Sequence, residues 1–323
     1  MKVAVISGGR SSEHDVSLSS GESVAAGLEQ AGHEVVRIVI ERDGRWLMDG
    51  EELDLRPAGG LAGADVAFPV LHGPFGEDGT VQGLLECLDI PYAGPGVLGA
   101  AVAMDKLVCK RLLAFHGIPQ VDFCEVGEPG WRERVASFGT PVWVKPSRLG
   151  SSVGISRVED LADLDAAVEE ARRHDPRVIV EAHAEGREVE CSVIGNEEPE
   201  TSLPGEIVTV GHEWYDYEAK YTEGGMQLRV PAPIGEEAIA RVRELAARVY
   251  RAIDGRGMAR CDFFYLEGSG ELLVNEINTI PGFTSTSVFG KLFEASGVSY
   301  PQLCDRLVRL AVERHERERS YEF

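Results

Sequence analysis

The chain has 323 residues, 43% of them hydrophobic, and its formal net charge is −22 at pH 7. This length suggests two or three domains, each with its own hydrophobic core. The acidity excludes nucleic acid and anionic membranes as main partners because the dominant electrostatic interaction would be repulsive, and no stretch is apolar enough to cross a bilayer.

The N-terminal part predicts an open parallel sheet flanked by helices. Its first apolar run is too short for a signal peptide, so it predicts a strand at residues 2–6 and a cytoplasmic protein. A helix at 16–31 and a strand at 34–40 complete a β-α-β unit, and a strand at 66–71 and a helix at 81–88 follow. Both strand-to-helix loops lie at carboxyl ends of strands, where such sheets bind ligands.

Residues 94–99 match the dinucleotide-binding pattern G-x-G-x-x-G. A lone match is weak. Only three residues before it resemble a strand, Pro95 lies inside the loop, and no acidic residue ends a second strand about twenty residues later. We therefore interpret this segment as a domain junction.

The rest of the chain predicts a small α/β unit and then a strand-rich unit. The small unit contains a helix at 100–116, a strand at 142–145, a helix at 161–174 and a strand at 178–181. The strand-rich unit contains strands at 188–194, 205–210, 258–266 and 271–277 and a packing helix at 236–253. A last helix at 300–314 precedes a charged tail that is expected to fray.

The strand at 142–145 ends in Lys145 and leads into a loop of glycine and serine at 147–154. Small residues allow backbone N–H groups to approach phosphate oxygens, and a lysine adds a point charge. Lysine is rare in this arginine-rich chain, so a lysine kept at Lys106, Lys145 or Lys220 suggests a role that a guanidinium cannot fill.

A second group of residues offers hard oxygen ligands. Asp262 lies on one predicted strand, and Glu276 and Asn278 lie two residues apart on the next, which puts the latter two on the same face. Two carboxylates and an amide suit Mg²⁺ that is held partly by protein and partly by phosphates. The loop and this group together predict a nucleotide with its magnesium.

In this order, these features resemble the ATP-grasp ligases, and further motifs resemble the D-alanine:D-alanine ligase family. The motifs lie at residues 8–17, 71–73, 76–80, 215–221 and 278–284, and the resemblance runs from residue 2 to about 312. It implies an α/β fold with α+β elements and a three-domain ATP-grasp architecture. The implied divisions are an N-terminal open parallel-sheet substrate domain at 1–94, a central ATP-grasp domain at 95–181, a C-terminal ATP-grasp domain at 182–316 and a frayed tail at 317–323.

The resemblance also implies roles for individual residues around ATP and two magnesium ions, with Mn²⁺ as a substitute. The implied ATP contacts are Lys106, Lys145, Ser151, Ser152, Glu181, His183, Ala184, Glu188, Lys220, Phe264 and Asn275, and the implied metal ligands are Asp262, Glu276 and Asn278. The implied substrate contacts are Glu13 for the first ammonium, His72 in a supporting place, Arg260 for carboxylate or oxyanion, and Ser287 and Val288 for the second carboxylate. The implied catalytic group is Glu13, Ser151, Tyr221, Arg260 and Gly282, and the family suggests a homodimer.

The chemistry explains these roles. A carboxylate is a poor acyl donor, so ATP first converts D-alanine to an acyl phosphate, which the amine of a second D-alanine attacks and from which phosphate leaves. Arg260 and the N–H of Gly282 would stabilise the tetrahedral oxyanion. Acyl phosphates hydrolyse, so water must be excluded, and the aromatic-rich segment 212–224 is a candidate lid that carries Lys220 and Tyr221.

Three alternatives remain. The first alternative, within the same class of enzymes, is a D-alanine:D-lactate ligase. Tyr221 favours the dipeptide, because lactate-selective members of the family tend to lack this tyrosine. An ATP-binding regulatory module without catalysis conflicts with the intact Arg260, Asp262, Glu276 and Asn278. A nicotinamide-dependent dehydrogenase depends only on residues 94–99.

Overall fold

The computed structural model describes residues 1–150, 153–209, 225–284 and 287–322. The predictions for Ser151 and Ser152, and those for the lid with Lys220 and Tyr221, lie outside these described residues. In the described part of the chain, no helix is both long and apolar enough to span a membrane.

The described strands form three separate sheets, whose strands are bounded as follows. The first sheet contains β1 (Lys2–Gly8), β2 (Glu34–Ile40), β3 (Trp46–Met48), β4 (Glu51–Glu52) and β5 (Val66–Pro69). The second contains β6 (Phe123–Glu125), β7 (Val142–Pro146), β8 (Ser156–Val158) and β9 (Val178–Ala182). The third contains β10 (Arg187–Gly195), β11 (Glu200–Thr201), β12 (Gly205–Thr209), β13 (Met226–Arg229), β14 (Gly257–Leu266) and β15 (Glu271–Asn278).

The helices lie against these sheets. They are α1 (His14–Gln30), α2 (Thr80–Leu88), α3 (Val97–Met104), α4 (Lys106–Phe115), α5 (Trp131–Phe138), α6 (Leu164–Arg172), α7 (Glu236–Ala252), α8 (Val288–Ala295) and α9 (Tyr300–Arg319). A single 3-10 turn at Leu161–Asp163 leads into α6.

The first sheet has the order β4-β3-β2-β1-β5, and β1 is parallel to both β2 and β5. Its central strands are apolar on both faces because helices cover both. Val3, Val5 and Phe68 pack against α1 and α9, whereas Ala4 and Ile6 pack on the side of α2. The predicted parallel pairing is therefore confirmed for β2, β1 and β5, whereas β3 and β4 extend the sheet as antiparallel strands. The loops at the carboxyl ends of β1 and β5 carry Glu13 and His72.

The second sheet is antiparallel, in the order β6-β9-β7-β8. Alternation explains its two faces. Val142, Val144 and Val180 point into a core with α5 and α6. Trp143, Lys145 and Glu181 alternate with these valines and therefore lie on the opposite face.

The third sheet is also antiparallel, in the order β13-β12-β10-β14-β15, with β11 paired to β10. One face is apolar and packs on α7, through residues such as Val189, Cys261 and Phe263 against Val242 and Val249. The other face bears charged residues at the alternate positions. This polar face is turned toward the second sheet.

Two helices differ from the sequence prediction. The helix predicted at 100–116 is two helices, because Asp105 leaves helical geometry (φ −86°, ψ 98°) and its carboxylate accepts from the N–H of Val108 as the N-cap of α4. The last helix continues to Arg319, so residues 317–319, which were expected to fray, are helical. Ion pairs from Arg317 to Glu197 and from Arg319 to Asp89 hold this last turn.

The division of the chain into domains at 94/95 and 181/182 stays a prediction.

The junction at 94–99 shows no strand–loop–helix nucleotide fold. Tyr92 forms only an isolated bridge with Ala67, and α3 begins at Val97. The buried Arg314 of α9 donates to the carbonyls of Gly94 and Tyr92 at 2.8 and 3.0 Å. These two hydrogen bonds connect α9 to the residues that follow the first sheet in the chain.

Candidate active site

A cavity of about 610 Å³ lies between the second and third sheets. One wall is formed by the second sheet, with Lys145 and Glu181, and the other by the third sheet, with Asp262. Glu13 and His72, from the loops that follow β1 and β5, close one end. Residues from the whole length of the chain therefore meet in one cavity.

The wall formed by the second sheet contains a buried group of charges. Trp143 lies opposite Glu181 in the register of β7 and β9, and Lys145 lies on the same face. Lys145 Nζ is 2.6 Å from Glu181 Oε2, and Lys110 Nζ is 3.0 Å from Oε1. Burial alone would raise the pKa of Glu181, but the two ammonium groups outweigh it and lower this pKa to about 2. Glu181 is therefore an ionised carboxylate that only accepts hydrogen bonds.

The expected phosphate loop begins at a network around the buried Ser147. Its hydroxyl donates to Asp105 Oδ1 at 2.7 Å and accepts from the N–H of Leu107 at 3.2 Å. The N–H of Lys106 donates to the Ser147 carbonyl, and Lys106 Nζ donates to the Leu149 carbonyl at 2.7 Å. Lys106 thus lies at the base of this loop and lines the cavity.

The expected magnesium ligands lie on adjacent strands of the third sheet. Asp262 on β14 is opposite Glu276 on β15, and Arg260 is opposite Asn278. The Asn278 amide donates to Asp262 Oδ2 at 3.1 Å. Because residues opposite each other share a face, the two carboxylates and the amide lie side by side along the cavity.

The chemistry of this donor set fits Mg²⁺, which prefers a few carboxylate or amide oxygens together with substrate phosphates and water. Among the described residues, no group of three or more His, Cys, Asp and Glu could hold a metal. A cation between Asp262 and Glu276 would therefore need Asn278 and oxygens from the substrate to complete its coordination.

Arg260 is held by two carboxylates. Its Nε and Nη2 donate to the two oxygens of Asp262, both at 2.7 Å, and Nε is also 2.9 Å from Glu190 Oε2. Glu190 lies opposite Asp262 on β10. A guanidinium fixed in this way is oriented before any substrate arrives, as is required of a group that stabilises developing negative charge.

The remaining residues expected around the nucleotide line the same cavity. They are His183, Ala184, Glu188, Phe264 and Asn275. Trp143 Nε1 donates to His183 Nδ1 at 3.2 Å, which braces the segment after β9. The register of β14 and β15 shifts by one residue between Asp262 and Phe263, so Asn275 is the extra residue of a β-bulge, a feature that redirects side chains near functional sites.

Glu13, His72 and Glu77 form the opposite end of the cavity. His72 Nε2 is 3.2 Å from the hydroxyl of Ser20, and Glu77 accepts the N–H of Gly73 at 2.7 Å. Burial lowers the pKa of His72 although the Glu13 carboxylate acts in the other direction, so the imidazole is neutral. Desolvation and then the Glu13 charge raise the pKa of Glu77 to about 8. This end of the cavity therefore contains a protonated carboxyl beside a neutral histidine at neutral pH.

Gly73 permits the close approach within this group. It has φ +71°, and a Cβ at this position would lie 2.7 Å from Glu13 Oε2. Any side chain here would displace the carboxylate that the family resemblance assigns to the substrate ammonium.

Ser287 is the N-cap of α8 and Val288 its first residue, and neither of them is among the residues that line the main cavity. Gly282 is among the residues of that cavity, whereas Ser287 lines a smaller neighbouring one of about 330 Å³. The Ser287 hydroxyl contacts Thr284 Oγ1 at 2.7 Å and accepts from its N–H at 3.0 Å. The start of α8 offers backbone N–H groups for a carboxylate.

Sequence reasoning missed three charged residues of this region. They are Lys110, Glu77 and Glu190. Helical spacing offered one signal, since Lys110 follows Lys106 by four residues, and strand spacing another, since Glu190 follows Glu188 by two. Glu77 lies inside a motif used for the resemblance, but nothing in the motif indicated its desolvation.

Comparison with known proteins yields consistent matches along the whole chain. The family models for the D-ala D-ala ligase N-terminus and C-terminus match residues 2–61 and 55–95, and 112–309. The D-alanine–D-alanine ligase of Solibacter usitatus is 46% identical over 325 residues, covering 100% of this chain and 99% of that protein. That of Deinococcus radiodurans is 46% identical over 335 residues, covering 97% and 98%.

Solved structures agree with the fold. The D-alanine–D-alanine ligase from Coxiella burnetii superposes with a TM-score of 0.86 at 32% identity, covering 99% of this chain and 97% of that one. The VanG D-Ala:D-Ser ligase from Enterococcus faecalis also has a TM-score of 0.86, at 35% identity, covering 96% and 99%. The predicted ATP-grasp architecture is thereby confirmed.

Proposed function

We propose that the cavity between the second and third sheets is where this chain, a member of the D-alanine–D-alanine ligase family, joins two D-alanine molecules while ATP becomes ADP and phosphate. The observation that carries this assignment is the meeting of Lys106, Lys145, Asp262 and Glu276 with Glu13 in one cavity. The first four suit phosphoryl transfer, and Glu13 suits the ammonium of an amino acid.

The nucleotide is assigned to the side of the cavity where the second sheet lies. Glu181, His183 and Ala184 would contact the base and Glu188 the ribose, with Phe264 and Asn275 across the cavity. Lys106 and Lys145 would neutralise phosphate oxygens. When bound at Asp262, Glu276 and Asn278, magnesium ions would offset the charge that develops on the transferring phosphoryl group.

The amino-acid substrates are assigned to the other end. Glu13 would hold the ammonium of the first D-alanine, whose carboxylate takes the phosphoryl group. Arg260 and the N–H of Gly282 would stabilise the oxyanion formed when the second amine attacks. Ser287 and Val288 would hold the second carboxylate at the start of α8, where backbone N–H groups and the helix dipole favour an anion.

Further assignments follow the family resemblance. Ser151, Ser152 and Lys220 would cover the phosphates, and Tyr221 would close the lid by contacts with Ser151 and Glu13. We also infer a cytoplasmic homodimer that produces the dipeptide for peptidoglycan precursors, with three domains divided at 94/95 and 181/182. Mn²⁺ is expected to substitute for Mg²⁺.

The test is phosphate release from ATP with one amino or hydroxy acid added at a time. We expect release only when D-alanine, ATP and Mg²⁺ are all present, with D-alanyl-D-alanine as product. Equal rates with L-alanine would contradict the assignment. Product chromatography after adding D-alanine together with D-serine or D-lactate separates a dipeptide ligase from the D-serine and D-lactate types.

A further inference from the structure

Three charged side chains form a buried row at the side of the cavity assigned to the base. Glu181 lies between Lys145 on β7 and Lys110 on α4, with its two carboxylate oxygens shared between the two ammonium groups. Lys110 is only 3% exposed, and its Nζ lies 5.7 Å from the centre of the Phe123 ring. Phe123 in turn is opposite Glu181 in the register of β6 and β9.

The two lysines differ in their access to ligands. Lys145 and Glu181 line the cavity, whereas Lys110 lies behind Glu181 and is not part of the lining. Burial would lower the pKa of Lys145, but the Glu181 carboxylate outweighs it and raises this pKa. Lys145 is therefore a cation at the cavity surface that a phosphate could engage, while Lys110 has no such access.

This difference matters once a nucleotide is bound. If Lys145 turns toward a phosphate, its contact with Glu181 weakens, and a buried carboxylate left without any cation would be strongly destabilised. Lys110 remains behind the carboxylate and continues to neutralise it. Glu181 can then stay ionised and fixed in place while Lys145 acts elsewhere.

We propose that Lys110 is a positioning residue that holds Glu181 as an ionised acceptor, and thereby makes the site select a base with an exocyclic amino group over one with a carbonyl. This inference rests on the proposed function, because it assumes that the nucleotide base lies beside Glu181. An ionised carboxylate has no proton to donate, so it can accept from a 6-amino purine. A 6-oxo purine places a carbonyl oxygen against the negative charge, and this oxygen cannot donate a hydrogen bond to the carboxylate.

The test compares ATP with ITP, since the two purine bases differ at position 6. For Lys110→Met we expect kcat/KM for ATP relative to ITP to fall by about tenfold, the usual effect of losing one well-placed charged hydrogen bond. The change should appear in the KM for nucleotide, with the KM for D-alanine unchanged, because Lys110 contacts no reacting atom. Lys2→Met is the matched control and should retain the wild-type ratio.

A second pair of variants separates this role from general damage. Glu181→Gln replaces the carboxylate by an amide that can also donate, so it should relax the preference for ATP by itself. Adding Lys110→Met to Glu181→Gln should change the ratio no further, because the carboxylate that Lys110 positions is gone. This double variant removes the buried Lys110–Glu181 pair together and leaves Lys145 facing the cavity, so it remains informative if Lys110→Met alone does not fold.

Two results would overturn the inference. One is a folded Lys110→Met variant with the wild-type ratio of ATP to ITP, and the other is a further shift of that ratio when Lys110→Met is added to Glu181→Gln. Calorimetric binding of ATP and ITP without D-alanine gives the same ratio independently of turnover. A wild-type protein that binds ATP but makes no dipeptide would refute the proposed function and leave this comparison intact.

Discussion

At the scale of single residues, the cavity is organised around two carboxylates that hold cations in place. Glu181 fixes Lys145, and Asp262 fixes Arg260 through both of its oxygens. Cations that are oriented before the substrate arrives need no reorganisation during the reaction, and this is how protein sites stabilise developing charge. The same contacts imply that removing one carboxylate also releases the cation it holds.

The metal assignment makes a prediction for Glu276. Glu276→Gln removes an anionic ligand while keeping the shape of the side chain, so turnover should fall by about a hundredfold or more, in line with several kcal/mol of charge stabilisation. Thermal stability should change little. The measurement is the rate of phosphate release as a function of Mg²⁺ concentration.

Glu271→Gln is the matched control, since it lies at the exposed start of the same strand and should behave as wild type. Asp262→Asn should be at least as damaging as Glu276→Gln, because it also loosens Arg260. Near-normal turnover of Glu276→Gln at limiting Mg²⁺ would refute the metal site.

Glu77 makes a prediction about pH. Its pKa is raised from 4.5 to about 8, so the folded protein holds a proton that the unfolded chain releases above about pH 4.5. The stability contributed by this group is complete below pH 4.5 and is lost as pH rises toward 8. Glu77→Gln imitates the protonated form. Its melting temperature should therefore rise relative to that of the wild type as the pH increases from about 4.5 to about 8.

The comparison is made by thermal unfolding of both proteins at several pH values between 4 and 9. Glu86→Gln, in the neighbouring helix α2, controls for the loss of a carboxylate at another position. A constant difference between Glu77→Gln and wild type would show that the pKa of Glu77 is not raised by folding.

At the scale of elements, the strands could be predicted from the pattern of their apolar residues, but a helix break that depends on distant side chains could not. The strand at 34–40 was predicted with its observed bounds, and β10, β14 and β15 were found to within about two residues, because their apolar positions alternate or run continuously. The helix predicted at 100–116 was wrong because its apolar pattern continues through the break. Asp105 ends one helix and starts the next through contacts with distant Ser147 and Arg177.

The residues of the candidate site also divide into those that could be predicted from the sequence and those that could not. Lys145, Asp262 and Glu276 could be predicted because each lies near the end of a recognisable strand, next to residues of the expected chemistry. Lys110 and Glu190 could not, since their role depends on which strand or helix lies opposite. Sequence spacing places a residue on a face, but only the fold determines what that face meets.

Asp105 offers a prediction at this scale. It caps α4, accepts the Ser147 hydroxyl and is 2.5 Å from Arg177 Nη1. Asp105→Ala should cost about 1 kcal/mol or more of stability for the cap alone. It should also raise the KM for ATP, because Ser147 and the base of the phosphate loop lose their anchor.

Urea unfolding and ATP titration provide the two measurements. Asp160→Ala removes another aspartate cap, the one whose carboxylate accepts from the N–H of Ala162 before α6, and it should lower stability without changing the KM for ATP. Equal effects of both substitutions on the KM would show that Asp105 acts only through general stability.

At the scale of the whole molecule, the two ends of the chain share one core. Leu303 and Leu307 of α9 pack against β1, α1 and β5 in a single cluster. Gly27 of α1 allows the close approach, because a Cβ there would lie 2.8 Å from the Tyr300 ring. The hydroxyl of Tyr300 donates to the Phe283 carbonyl, which connects this core to the loop that holds Gly282.

A pair of glycine substitutions tests this packing. Alanine is preferred over glycine inside a helix by about 0.5–1 kcal/mol, so Gly83→Ala in α2, where a Cβ meets nothing within 4 Å, should stabilise the protein. Gly27→Ala should destabilise it, because overpacking against Tyr300 costs about 1–3 kcal/mol and outweighs that gain. Chemical denaturation of both variants checks the opposite signs, and stabilisation by Gly27→Ala would contradict the close packing of α1 and α9.

The shared core also has a consequence for biosynthesis. The ribosome makes β1 and α1 before α9, so the part of the first sheet that α9 covers stays exposed while the roughly 270 residues between α1 and α9 are added. At about 5–20 residues per second, this interval is roughly 15–60 s. The nascent N-terminal segment is therefore an aggregation-prone species for most of translation, and chaperone binding should concentrate on Val3, Val5 and Phe68 until the last helix has emerged.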